Sequence, residues 1–421
     1  MRRFMRKKVR KRAVITGVGV VSPIGIGISD FWEGLQEGRT GMDRITRFDA
    51  SEFPCQVAAE VQDEGYLDHL NEREKEYYAR ATRYAVAAFT MARLDAGVDH
   101  FDEHRTGVIL GSAASSMDYM EEQIERHPGF LRGFKQGTVD PFVMVKSFIA
   151  APSAAVALAA GCRGYVTSVS TACTSGVNAV GLAAERIESG QGDIMIAGGV
   201  DTPINRILLN AFCAANYFTT DNSHPDTCLK PFDLNRTKCA LGEGAAIFIV
   251  EDRDHAVARG ARIYAEVESF NHQTENGNEL FFFDQSGDRW ADTMRGAVEK
   301  VKGPINHVNA HGTSDKVADK IEVTAIRKAL GSRVGKASIT SIKSATGSGL
   351  AAAGVFQVAA ALMSLFTGKV PGILNYETPD PDLGPMKFLK RSHNEELERI
   401  LVNSKGFGGF NTALLLRRFA L

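Results

Sequence analysis

The stretch Ser168-Val169-Ser170-Thr171-Ala172-Cys173-Thr174-Ser175-Gly176 places a thiol where one backbone period stops and another begins. Upstream, Gly164 to Ser170 carries the β-branched and small residues of a strand. Downstream, Val177 to Ile187 repeats apolar residues at helical spacing. Cys173 therefore stands at a strand-to-helix turn, where free N–H groups and the helix dipole favour thiolate, the nucleophilic form. Small neighbours leave room for an acyl group, so thioester chemistry is one reading. A small buried core cysteine is the other. Three more junctions look alike: strand 306–311 ends at His311, strand 339–342 leads to Lys343, and strand 400–403 enters the Gly-rich loop of Phe407. Side chains gathered at strand ends are where α/β proteins build sites.

The elements that must position these residues can be read in order. A strand at 14–21 runs into a Ser22-Pro23-Ile24-Gly25 turn, and a helix at 29–37 starts from Ser29 or Asp30. One long helix is expected at 72–94, a strand at 106–112 and helices at 117–126 and 152–160. The apolar run 193–200 reads as a buried strand and completes a βαβ unit around the thiol. A strand at 245–250 and a charged helix at 253–260 close the first half. The chain thus divides into a basic tail (1–12), a first half (13–255) and a second half (256–421). The second half resumes with 263–267 and a loop at 272–289, followed by helices at 316–330 and 350–366. The three aromatics Phe281-Phe282-Phe283 in that loop read as a local packing anchor or as the lining of a tunnel or partner surface.

Composition sets the outer bounds. The 421 residues carry 49 basic and 50 acidic side chains, so no global charge draws the chain to nucleic acid. The six cysteines form no CxxC pair and no Cys/His cluster with metal spacing, which reads as reduced thiols and no metal site. Eight basic residues in Met1–Arg12 precede an apolar run broken by Gly17, Gly19 and Pro23, more like a tail before a strand than a signal peptide. No stretch reaches the roughly eighteen apolar residues of a membrane helix, so a cytoplasmic protein without a membrane partner is expected.

At these residues the chain resembles the β-ketoacyl-acyl-carrier-protein synthases of the thiolase-like superfamily. The matching pieces are STACTSG at Cys173, GEG at 242–244, NAHGTS at His311, DKIE at 319–322, KSATG from Lys343 and GFGG at 406–409. Their order and spacing span most of the chain. The resemblance implies an α/β thiolase-like fold, two similar halves in a five-layer α-β-α-β-α sandwich, assembled as a dimer with a buried acyl tunnel. It implies that Cys173 accepts the acyl chain, with the peptide N–H groups of Cys173 and Phe407 as oxyanion hole and Phe407 as gate. It implies that His311 supports decarboxylation of a malonyl unit, that Lys343 pairs with Glu322 near Asp319, and that Thr313 contacts the pantetheine arm. Ala114 falls near the acyl pocket. No cofactor is implied beyond the phosphopantetheine of an acyl carrier protein, whose acidic surface calls for a local basic patch.

The departures are as informative. The family carries a second histidine five residues after the lysine, and here that position is Ser348. Serine is shorter and does not titrate near neutral pH. Losing one preorganised donor costs about 10²–10³ in rate unless a water replaces it. Asp315 replaces the last Thr of HGTST, and Lys405 and Phe410 flank GFGG where Phe and Thr are usual. These features resemble ketosynthase subunits of polyketide or aryl-polyene pathways more than housekeeping fatty-acid enzymes. Two readings follow: a ketosynthase condensing an acyl group on Cys173 with malonyl-carrier, with Ser348 and a water in the missing donor's place, or a chain-length-factor-like partner of a complete ketosynthase. A third, minor reading is an acyl transferase or hydrolase without decarboxylation.

Overall fold

The computed structural model describes residues 11–127, 129, 139–277 and 283–420. Met1 to Arg10 of the basic tail, and Phe281 and Phe282 of the aromatic triplet, lie outside them. Five strands build the first half: β1 (Ala13–Ser22), β2 (Thr106–Gly111), β3 (Val166–Val169), β4 (Ile194–Asp201) and β5 (Gly244–Asp252). They lie in the order β3-β2-β4-β5-β1, with β2 parallel to both neighbours and the pairs β4/β5 and β5/β1 antiparallel.

The second half repeats this plan with β6 (Ala265–Thr274), β7 (His307–Asn309), β8 (Ser338–Thr340), β9 (Arg399–Gly406) and β10 (Phe410–Arg417). Its order is β8-β7-β9-β10-β6, with the same succession of parallel and antiparallel pairs. Each half therefore reads third, second, fourth, fifth, first. The internal duplication, only hinted at in the sequence, is explicit here. The halves meet along β1 and β6 through the register pairs Ala13↔Val267, Val14↔Glu266 and Ile15↔Ala265.

Six helices matter for the site: α1 (Arg80–Ala96), α2 (Ser175–Glu188), α3 (Arg206–Ala214), α4 (Asp288–Val298), α5 (Lys316–Leu330) and α6 (Ala351–Thr367). α2 and α6, each reached from the third strand of its half, pack on each other and on strands of both halves. α6 is apolar all round and buried along nearly its whole length, as a middle-layer helix must be. α1 covers the outer face of β1 and β5, while α4 covers β6 and β10 with α5 beside it. The result is the expected α-β-α-β-α sandwich. Gly176 permits the close approach at its centre, because a Cβ there would fall 2.6 Å from the Ala351 carbonyl oxygen.

Three element expectations change. The helix expected to start from Ser29 or Asp30 spans Ile28–Glu37 with Gly27 at its N-cap, and the Asp30 carboxylate instead accepts from Ile26 N (3.1 Å). The stretch expected as one helix over 72–94 is two, Glu72–Tyr77 and α1, because Tyr78 and Ala79 are extended (ψ 137° and 159°). Asn71 and Glu74 cap the first piece in a reciprocal box, and Arg80, its side chain 10% exposed, opens the second against Asp118 (2.8 Å) and Glu243 (3.2 Å). The loop expected from His272 begins later, since β6 continues to Thr274 paired with β10. Among the described residues, no helix is long and apolar enough to cross a membrane.

Candidate active site

β3 delivers the chain to Thr171-Ala172-Cys173 and α2 takes it away. Ala172 adopts φ 53°, a left-handed conformation uncommon outside glycine that persists where the surroundings enforce it. The enforcement is visible: Ser175 Oγ donates to Ala172 O (2.6 Å) and accepts from the Thr171 N–H (2.8 Å). Asn178 Nδ2 donates to Thr171 Oγ1 (2.7 Å), and Thr412 Oγ1 of β10 donates to Asn178 Oδ1 (2.6 Å). Cys173 is buried. Burial pushes its thiol up to about 12 against the pull of the Lys343 charge. The expected thiolate is thus a thiol at rest, because desolvation outweighs the helix N-terminus.

His311 follows β7. The Lys343 ammonium donates to its Nδ1 (3.2 Å) and also to its carbonyl oxygen. An ammonium only donates, so Nδ1 is the acceptor and the proton of the neutral ring sits on Nε2. Burial and the charges of Lys343 and Lys405 hold His311 well below the usual histidine range. The other histidine of this strand, His307, packs away from the cavity with Ser338 Oγ (2.8 Å) and Thr340 Oγ1 (3.0 Å) on its two nitrogens.

The two carboxylates do something other than expected. Glu322 accepts from the peptide N–H groups of His311 (2.6 Å) and Gly312 (2.7 Å) and from Asn403 Nδ2 (3.0 Å). Asp319 accepts from the peptide N–H groups of Thr313 (2.9 Å) and Phe232 (2.9 Å) and faces Arg236. Lys343 therefore makes no direct pair with Glu322: the carboxylates hold the His311 loop, and the lysine is held by the histidine. Burial pushes both carboxyls up, Asp319 to about 6, while the peptide N–H bonds to each pull the other way. Behind this loop Gln357 Nε2 donates to the carbonyl oxygens of Asn309 (3.0 Å), Ala310 (2.8 Å) and Asn403 (3.2 Å).

Cys173, His311, Thr313, Ser348, Glu322 and Phe407 line one cavity of about 130 Å³. Lys343 reaches it through His311. Asp319 braces it from outside the lining. Ala114 packs against Cys173 and Leu350 but does not line the cavity, because its loop is drawn onto buried Asp201, which accepts from Ala114 N (2.9 Å), Ser115 N (2.7 Å) and Ala351 N (2.9 Å). Phe407 sits in an aromatic box, its ring 5.6 Å from Phe212, 5.0 Å from Tyr217 and 5.9 Å from Phe283. Phe283 is the described member of the triplet, and it serves as lining. Gly406 is required beside this ring, since a Cβ there would fall 2.8 Å from Thr171 O and 3.3 Å from Cys173 N. The Ser348 N–H donates to Ala240 O (2.9 Å), an oxygen that also accepts from the Cys239 thiol (3.6 Å), which burial pushes up to about 11. Asp315 caps α5 through Val317 N (2.9 Å) and Ala318 N (2.8 Å).

Trp290 and Lys405 are lining residues that the sequence alone does not place in the site. Trp290 stands edge-on to His311 with ring centroids 6.2 Å apart, and Lys405 forms a buried ion pair with Glu275. Lys405 carried a signal, a charge in the otherwise uncharged run Ile400 to Phe410. Trp290 carried none, being one apolar residue on an amphipathic helix.

The comparisons agree with this geometry. Residues 10–256 match the β-ketoacyl synthase N-terminal domain and residues 264–377 its C-terminal domain. The tetracenomycin polyketide synthase ketoacyl synthase α subunit of Streptomyces glaucescens is 33% identical, over 98% of this chain and 99% of its own. Among solved structures, the ishigamide ketosynthase/chain length factor superposes with a TM-score of 0.88 at 30% identity, covering 98% of this chain and 100% of that one. A type II polyketide acyl-carrier protein in complex with its ketosynthase gives 0.88 at 28% identity, over 97% and 100%. The fold is thiolase-like, and the chain belongs to the β-ketoacyl synthase family.

Proposed function

We propose that the chain is a condensing ketosynthase subunit of a type II, carrier-dependent polyketide or fatty-acid system. The observation that carries this reading is the convergence of Cys173, His311 and Phe407 on one cavity. Cys173 attacks the thioester of an acyl-carrier. A new C–S bond forms, the pantetheine C–S bond breaks, and the leaving thiolate takes up the cysteine proton. The peptide N–H groups of Cys173 and Phe407 receive the oxyanion. A malonyl-carrier then enters past Thr313. Its α-carbon–carboxylate bond breaks, CO₂ leaves, and the electron pair delocalises onto the thioester oxygen, toward which His311 directs its Nε2–H. The α-carbon attacks the acyl carbonyl, and the C–S bond to Cys173 breaks. Lys343 holds the His311 tautomer, Glu322 and Asp319 hold the His311 loop, and Phe407 gates entry.

Partners follow from the same reading: an acyl carrier protein and a second ketosynthase-like subunit, identical or complementary. β3 is an edge strand, and Tyr165, Val166 and Leu158 beside it are 44%, 40% and 75% exposed. A second subunit would cover them. One observation favours the chain-length-factor-like reading instead, namely Ser348 in the place of a titratable donor. Intact-mass analysis after incubation with acyl-carrier and malonyl-carrier separates the two. Acylation at Cys173 with release of β-ketoacyl product from this protein supports condensation. An unmodified Cys173, with product only when a complete ketosynthase is added, assigns it the partner role.

A further inference from the structure

Lys405 puts an ammonium into the wall of the cavity. Its side chain is 5% exposed, forms an ion pair with Glu275 and donates to Asn411 Oδ1 (3.3 Å). Its nitrogen lies 5.1 Å from the ring centroid of Phe283 and 5.1 Å from that of Trp290. An ammonium carries three N–H donors. Glu275 and Asn411 accept two, and the third is left with the two aromatic faces, which attract a cation more weakly than an oxygen acceptor does. Phe283, Trp290, His311 and Lys405 all line the same cavity. The indole N–H of Trp290 is also buried without an acceptor, so this wall holds more donors than the chain itself satisfies. Ser348 lines the same cavity.

A buried lysine–carboxylate pair is a poor source of stability, since desolvating both ions offsets most of their attraction. An apolar side chain would fit the aromatic wall at lower cost. The pair keeps Lys405 charged, and Glu275 is itself anchored by its own N–H to Gly409 O (2.9 Å) and by Asp284 N on its second oxygen (3.1 Å). The ammonium is therefore fixed at both ends of its carboxylate partner.

We propose that Lys405 is a catalytic donor of this chain, whose third N–H binds the thioester oxygen of the extender unit and supplies the hydrogen bond that no histidine at position 348 provides. The inference rests on the condensation reading. As the carboxylate of the malonyl unit leaves as CO₂, the electron pair passes onto that oxygen, and Lys405 and His311 Nε2–H share the resulting enolate charge. When the α-carbon bonds to the acyl carbonyl the enolate electron pair forms the new C–C bond, the charge passes to the acyl oxygen, collapse of that intermediate expels Cys173 as thiolate, and water protonates the thiolate and leaves hydroxide. Lys405 stays an ammonium throughout, with Glu275, Asp284 and Glu322 as the acidic groups around it and His311 a neighbouring base.

The test separates the two half-reactions in the purified full chain, with any co-encoded subunit present. Decarboxylation of malonyl-carrier is followed as acetyl-carrier formed, and acylation of Cys173 by intact mass. Lys405→Met is expected to slow decarboxylation about 10²-fold while acylation stays within about 3-fold of the unaltered protein. Lys405→Arg is expected to restore most of the decarboxylation and to abolish its decline at alkaline pH, because a guanidinium does not deprotonate there. Burial lowers the Lys405 ammonium below the usual lysine range, so the unaltered protein should lose rate as pH rises through that lowered value. Equal loss of both half-reactions in Lys405→Met would show a structural pair, and undiminished decarboxylation would show no role; either overturns the proposal. If the unaltered protein acylates but never decarboxylates, the condensation reading falls and the proposal with it.

Discussion

The Lys343 ammonium grips His311 at two points, Nδ1 and the carbonyl oxygen, and thereby decides which ring nitrogen carries the proton. Removing the grip should free the tautomer without emptying the cavity. Lys343→Met is expected to slow malonyl decarboxylation about 10²-fold, in the range of losing one oriented donor, while Cys173 still accepts an acyl group. Acetyl-carrier release and intact mass read the two steps separately.

The thiol of Cys173 should be sluggish toward alkylation. With the thiol pushed up to about 12, iodoacetamide labelling should rise close to tenfold per pH unit from pH 7 to 10, with no plateau near pH 8. A plateau below pH 9 would mean that the helix N-terminus wins over burial. Cys173→Ser should give no thioester on mass analysis.

Acid should destabilise the second half through His307. Burial holds it at about 4, against the usual 6.5, so the unfolded chain binds the extra proton and stability falls as pH drops from about 6.5 toward 4. The loss over that window is roughly 3 kcal/mol by linkage. His307→Gln should flatten this part of the denaturant midpoint against pH, whatever its effect at neutral pH.

Ser348→Ala should cost less than about 3-fold in decarboxylation, since Lys405 is the donor proposed for the extender oxygen. A loss of 10²-fold on the same assay would return the donor role to the serine.

Val166→Lys on the β3 edge should weaken the assembly, because a buried unpaired charge opposes strand-edge association. Sedimentation velocity of the variant beside the unaltered chain checks this, with a dimer-to-monomer shift expected at micromolar concentration.

Much of the frame was legible because it rests on local signals. The strand–Cys–helix turn, the Gly-rich hairpin at Phe407 and the apolar helix from Leu350 are written in period and composition, and all three stand where those signals put them. The break at Tyr78 was not, since nothing local to Glu72–Leu94 announces that Arg80 must reach Asp118 and Glu243. The state of the thiol was misread for a related reason: a helix N-terminus is visible in sequence, whereas desolvation depends on the whole fold. The partners of Lys343 were likewise a matter of three dimensions, because Glu322 spends its oxygens on the peptide groups of His311 and Gly312. Trp290 and Glu275 come together with Lys405 from three separate elements, a convergence no spacing rule encodes.

The repeated strand order distributes the site unevenly between the copies. The nucleophile comes from the third-strand turn of one half, and Lys343 and Ser348 come from the matching turn of the other, with His311 one strand over. Neither half alone holds both the acyl acceptor and the groups that activate the extender. In the present chain the two halves are joined covalently by the segment between Asp252 and Ala265 and docked by the short hydrogen-bonded ladder between Ala13–Ile15 and Ala265–Val267. Substitutions along that ladder can therefore tune the spacing between nucleophile and histidine, and with it turnover, without altering a single residue of the cavity.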